Sequence, residues 1–239
     1  MKKIFFWLFL SLWIIRCKTP ELGINPELKA DAMAVKGRNG WLLKQTISYG
    51  DFKTDKVRRG WTRSYNFPFF LRFQGAKEKL SFTQFGPNGT SAKVAFVSSF
   101  KTVELPLVNS YFNVPVSYKN FFAGTVVLNN GVQNWDFIIH NPDGDFMREK
   151  ASAGMIKNGT QVVEIHAIRS IKGQPKWLEK LAVYGHEFSQ NGKVVAAISN
   201  INKGTVWIDP ALDSDRKTLI AAVATGLLLR RDMEEAVPQ

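Results

Sequence analysis

The run Leu219-Ile220-Ala221-Ala222-Val223-Ala224-Thr225-Gly226-Leu227-Leu228-Leu229 decides how the rest of the chain is read. It carries no charge on any face. Asp213-Ser214-Asp215 precede it with capping side chains and negative charge, and Arg230-Arg231 follow it where cations suit a helix C-terminus. These signals predict a helix over 215–232. A helix that is apolar all round must be enclosed by protein or by lipid. A bilayer core needs about 20 apolar residues, so this shorter run is expected to be enclosed by its own protein. Ala221, Ala222, Ala224 and Gly226 would let neighbouring elements approach its axis closely.

What could enclose it is strand. Between Trp41 and Ile208 the chain is a series of short aromatic and β-branched runs separated by turn residues. Trp41–Ser48, Phe69–Gln74, Leu80–Phe85, Lys93–Ser98 and Tyr111–Tyr118 come first, with Gly86-Pro87-Asn88-Gly89 between the third and fourth. Thr125–Leu128 and Trp135–His140 flank Asn129-Asn130-Gly131. Ala153–Ile156 and Gln161–Ile168 flank Asn158-Gly159, and Glu187–Ser189 and Val194–Ser199 flank Asn191-Gly192. Asn-Gly is the strongest short hairpin cue, because both central residues of a type I′ turn need positive φ. Thr205–Ile208 closes the series. The expected fold is mainly β: an antiparallel barrel (or sandwich) of roughly a dozen strands joined mostly in sequence order, with one apolar C-terminal helix. It forms a single β-rich domain over 36–239. No period of 20–50 residues recurs, which argues against a solenoid or propeller.

The hairpin Glu187–Ser199, the strand Thr205–Ile208 and the apolar run Leu219–Leu229 after an Asp-containing turn together resemble the end of the tubby and phospholipid-scramblase group. That resemblance implies a barrel wrapped around a C-terminal hydrophobic helix. A lipocalin-like barrel with the helix outside is the competing picture, but Gly40-Trp41 does not supply the Gly-x-Trp signature of that family.

The first twenty residues read as an address. Lys2 and Lys3 form a basic head, Ile4–Ile15 is uncharged and largely apolar, and Cys17 is the single cysteine of the chain. A basic head with a short apolar run is the plan of a secretory signal peptide. Trp13-Ile14-Ile15-Arg16-Cys17 resembles the lipobox of bacterial lipoproteins, although Arg16 stands where that family has a small residue. The resemblance implies a signal peptide over 1–16 and a lipid on Cys17. Residues 17–35, with Pro20 and Pro26, then read as a lipid-anchored polar tether. The implied location is the cell envelope, on a bacterial membrane and facing periplasm or exterior.

The 239 residues carry 45% hydrophobic and 13% aromatic side chains, enough to bury a core without disulfides. The formal charge of +12 becomes +9 without Lys2, Lys3 and Arg16. Such an excess favours anionic partners, and in a secreted setting lipid head groups or acidic glycans suit better than nucleic acid.

Two sets of side chains could carry function. Arg58, Arg59, Trp61 and Arg63 lie in the densest basic and aromatic stretch, where arginines can bind phosphate bidentately and a Trp can sit at a membrane interface. Asp136 with His140, and Glu164 with His166, each share a strand face. If the two strands were neighbours, these groups could converge on a metal or a catalytic water. His186-Glu187 lacks the second histidine of a zinc helix. No nucleophile elbow, Walker loop or dinucleotide fingerprint is present. The expectation is a membrane-tethered, non-catalytic binding or structural module without a cofactor, contacting anionic lipid or glycan. The alternatives are a hydrolase or metal-dependent enzyme using the acid–histidine pairs, or a carrier of an apolar ligand in its barrel.

Overall fold

The computed structural model describes residues 19–38, 45–60, 78–98, 121–140, 152–159, 161–175 and 183–235. Within these residues the hairpin cues produce the strands they announce, while Phe69–Gln74, Tyr111–Tyr118 and the start of Trp41–Ser48 lie outside them. β1 (Met33–Ala34), β2 (Ser48–Tyr49), β3 (Phe52–Thr54) and β4 (Arg58–Arg59) are short. β5 (Glu78–Phe85), β6 (Ser91–Ser98), β7 (Phe121–Leu128) and β8 (Gln133–His140) are long. β9 (Ser152–Asn158), β10 (Gln161–Ile168), β11 (Gly185–Gln190), β12 (Lys193–Ser199) and β13 (Thr205–Ile208) complete the set. At the β11–β12 turn Asn191 and Gly192 take φ of 52° and 77°, the pair of positive values that a type I′ hairpin demands.

Every pairing is antiparallel, in the order β1-β13-β12-β11-β10-β9-β8-β7-β6-β5-β3-β2, with β4 also on β5. β3 and β4 are one strand in two pieces. Thr54 faces Gln84 and Arg58 faces Ser81. Between them Asp55 keeps the ladder through its N–H to the Thr83 carbonyl (2.9 Å) and its carboxylate to the Thr83 N–H (2.7 Å). The two edges of the sheet meet where Lys36, just past β1, exchanges reciprocal backbone bonds of 2.9 and 3.1 Å with Ser48 of β2. The sheet is therefore a nearly closed antiparallel barrel.

Alternation along each strand sets the faces. Leu80, Phe82, Phe96, Phe122, Trp135, Phe137, Ile139, Val163, Ile165 and Phe188 are buried inward. Lys93, Asp136 and Glu164 point outward, an arrangement opposite to that of a barrel built to face lipid. The space inside is taken by the helix α1 (Ser214–Glu235). Asp213 caps it, accepting the Arg216 N–H at 2.8 Å. From Leu219 to Leu229 no side chain around the helix is more than 2% exposed. The apolar run is thus enclosed by strands on every side, as its uncharged circumference predicts.

Fit is close. Gly226 lies under the Phe96 ring, which any Cβ at that position would strike. Phe96 is itself locked by Phe122 (centroids 5.0 Å apart, stacked) and Phe137 (4.9 Å, edge-on). The one polar residue of the apolar run, Thr225, is fully buried and donates to Gln84 Oε1 at 2.8 Å. On its other side stands the Tyr49 hydroxyl, which donates its hydrogen to the Ala221 carbonyl. That hydroxyl lies 2.7 Å from the Ala221 carbonyl and 3.0 Å from Thr225 Oγ1. Gln84 Nε2 completes the chain on the Lys53 and Phe85 carbonyls. Burial pushes the Tyr49 phenol well above its ordinary pKa, so it remains a donor.

The stretch expected as a tether differs. From Leu22 onward it belongs to the fold: Leu22 and Leu28 are buried against Ile168, Val194 and Ala197 on the outside of β10–β12. The Leu22–Ile171 bridge and the β1–β13 pairing fix its two ends. Isolated leucines among charged residues suffice for this, because the wall they meet is already apolar.

Candidate functional site

The barrel has two different ends. The tight hairpins at 86–90, 129–132, 159 and 191–192 gather at one, the turn end, where α1 begins. There Thr90 Oγ1 meets Thr218 Oγ1 at 2.6 Å, and Asn129 Nδ2 donates to Asp215 at 2.8 Å. Arg216 lies 4.4 Å over the Trp135 ring and donates to Gln161 at 2.7 Å. At the opposite end, the mouth, Leu228 packs on Gly204 of the β12–β13 loop and Arg230 sits 5.7 Å over the Phe122 ring.

Arg58 and Arg59 lie toward the mouth but serve opposite faces. Arg59 is in register with the inward Leu80, and its Nη2 donates to Gln45 Oε1 at 2.8 Å. Gln45 Nε2 in turn donates to the Arg38 carbonyl at 2.6 Å. Arg38, 5% exposed, reaches the Asn200 and Asn202 carbonyls at 3.2 Å each and so holds the β12–β13 loop. Arg59 is thereby part of the support of the mouth. Arg58 turns outward, half-exposed beside Asp55 at 3.3 Å. Trp61, Arg63 and Cys17 lie outside the described residues.

The acid–histidine pairs meet different fates. Glu164 and His166 do come together on the outer face of β10, with Glu164 Oε2 3.3 Å from His166 Nε2. Ser189 Oγ is 3.0 Å from the same Nε2. A nucleophile–base–orienter relay needs the acid on one ring nitrogen and the hydroxyl on the other. Here both partners crowd one nitrogen, so a proton taken from Ser189 would find its place contested by Glu164. Asp136 does not join them. It accepts from Thr125 Oγ1 at 2.7 Å and is in register with Lys157, which faces Val162. Two strand spacings of roughly 4.8 Å plus a two-residue offset separate it from Glu164, far beyond metal-bond reach. The side chain of His140 lies outside the described set. Among the described residues no group of three His, Cys, Asp or Glu side chains is placed to hold a metal ion.

His186 and Glu187 point to opposite faces. Glu187 turns outward and accepts the Asn25 N–H at 2.8 Å, pinning the leader. His186 turns inward and is 5% exposed, with no partner for Nδ1 among the described residues. Burial, and then the nearby Arg230 charge, lower its pKa to about 3, so it is neutral at physiological pH.

A cleft of about 780 Å³ opens at the mouth between the leader and the β12–β13 edge. Leu22, Ile24, Ile201 and Trp207 form its apolar wall, Lys172 and Lys203 its cations. Lys172 is held to Glu21 by its side chain (3.0 Å) and its N–H (2.9 Å). Thr19 and Pro20 line the same cleft, so the chain enters the fold there. Sequence reasoning missed this surface, since its parts come from three segments and no motif marks them.

No family model matches the chain, and no curated protein or solved structure is detectably similar to it. Among the described residues no helix is long and apolar enough to cross a membrane.

Proposed function

We propose that the protein is a lipid-tethered module of the bacterial cell envelope that binds anionic lipid or glycan on its surface and catalyses no reaction. The observation that carries this reading is the filled barrel. An apolar ligand of a carrier would have to displace Leu219–Leu229, all at 2% exposure or less, so function is left to the exterior. On that exterior Asp136 stands apart from Glu164 and His166, and Glu164 and Ser189 crowd one ring nitrogen, whereas the positive charge of +9 outside the signal segment supplies attraction for anions. Cys17, after a basic head and an apolar run, supplies the tether.

Two measurements test the reading. Intact mass of the full chain extracted from bacterial membranes should show loss of residues 1–16 and acylation of Cys17; an unmodified Cys17 would refute the anchor. Residues 18–239, free of the anchor, should bind anionic vesicles or an acidic polysaccharide with steep salt dependence. Near an anionic surface each basic residue contributes about 1 kcal/mol, so Arg58→Gln with Arg63→Gln should weaken vesicle binding roughly thirtyfold. Arg59 is left intact because it supports Gln45. Binding that ignores salt and both substitutions would end the assignment of these arginines.

A further inference from the structure

The two ends of the barrel differ in where the chain enters. At the turn end Lys193, Arg216 and Lys217 stand among Asp209, Asp213 and Asp215, with Lys193 Nζ 2.8 Å from Asp209. The exposed large hydrophobics described, Phe85 (38%), Val132 (80%) and Val162 (38%), also lie toward that end. Among the described residues of the mouth Lys172 and Lys203 stand exposed, with Glu21 3.0 Å from Lys172. The partly exposed Trp207 lines the same cleft as the two lysines. An indole flanked by basic side chains suits the head-group layer of a membrane.

The entry point of the chain selects between the ends. Thr19 already lines the mouth cleft, and two residues cover at most about 7 Å. The leader cannot swing away, because Gly23 donates to the Ser170 carbonyl (2.9 Å), Lys172 to the Glu21 carbonyl (2.9 Å), and Leu22 is buried. A lipid on Cys17 would therefore draw the mouth, and not the turn end, onto the bilayer.

We propose that the mouth of the barrel is a membrane-docking face that lies on anionic lipid head groups, with Lys172, Lys203 and Trp207 as its contacts. The inference rests on the tether reading of Cys17, and it deepens that reading by naming the lipid partner and the surface that meets it. Docking leaves the turn end, with Val132 at its tip, projecting away from the membrane.

The test uses the full chain, processed in a bacterial host and reconstituted into vesicles containing anionic lipid. An acylated Cys17 has no free thiol, so the unsubstituted chain should take up no thiol-reactive dye. Lys203→Cys and Val132→Cys, both at exposed turn positions, are each labelled and exposed to a quencher carried on lipid head groups. The Lys203→Cys label should lose most of its fluorescence and the Val132→Cys label little. Adding Lys172→Glu to the Lys203→Cys chain should restore part of the lost signal. Quenching that is equal at the two positions, or stronger at Val132, would overturn the docking face while leaving the anchor intact. Labelling of the unsubstituted chain would instead refute the anchor, and the docking face with it.

Discussion

His186 shows how one buried side chain ties stability to pH. It lies inside the barrel with its pKa lowered to about 3 by burial and by Arg230, whereas in the unfolded chain it titrates near the ordinary histidine value of 6.5. Between these values the unfolded state binds a proton that the native state refuses, so stability must fall as pH falls. The full contribution is present above the unfolded pKa. Between about pH 7 and about pH 4.5 the loss should reach roughly 2–3 kcal/mol, read as a falling urea midpoint. His186→Gln keeps a neutral polar group in place and should flatten that slope; an unchanged slope would show that other groups set it. Asp209 acts in a lower window. Its carboxyl is held below the usual range by Lys193 and by the Ala211 N–H, so its stabilisation is lost only at more acidic pH. None of this was legible in the sequence, where His186-Glu187 reads as an adjacent polar pair. The strand sends one side chain into the barrel and the other out to the leader.

At the scale of the element, the helix was legible because its sequence leaves no alternative: an uncharged circumference with caps at both ends has to be enclosed. Each of Leu219, Ile220, Val223, Leu227, Leu228 and Leu229 is withdrawn from water, at about 1.5–3 kcal/mol per side chain. That gross term rivals the whole net stability of a typical domain, about 5–15 kcal/mol, so the helix is core and not an appendage. The long strands were legible through Asn-Gly turns and alternation. β3 and β4 were not, since two or three residues are too few to display a period. The leader was misread as tether because Leu22 and Leu28 are spaced for neither helix nor strand, and only the wall of β10–β12 gives them a reason. A helix-propensity argument also fails at Gly226. Gly→Ala within an exposed helix gains about 1 kcal/mol, but here the added methyl meets the Phe96 ring, which Phe122 and Phe137 prevent from yielding. Gly226→Ala should therefore destabilise the protein, by about 1–3 kcal/mol as overpacked cores do. A raised thermal midpoint would mean that the barrel can widen around its helix.

At the scale of the molecule, closure is the feature that individual strands do not announce. The order of strands follows the sequence from β5 to β13, which hairpin cues foretell. The choice of barrel over sandwich is settled where the leader brings β1 beside β13 and carries Lys36 to Ser48. The mouth cleft was hidden for the same reason, being assembled from residues around 20, 172 and 203. Closure is also uneven. β5 to β8 are joined along nearly their full eight-residue lengths, whereas the seam consists of two-residue strands and one reciprocal pair of bonds. Local opening costs least where few buried contacts and few paired backbone groups must be given up. Val35 and Tyr49 do bury side chains at the seam, so it should open as a unit and not fray residue by residue. Native-state hydrogen exchange should accordingly place the amides of Lys36 and Ser48 in a sub-global class. They should exchange well before those of Phe96, Val126 and Phe137, which open only with the whole barrel. If the seam amides instead exchanged with the same free energy and the same denaturant dependence as the β6–β8 amides, the leader and barrel would be one cooperative unit, and the leader would contribute as much to closure as the hairpins do.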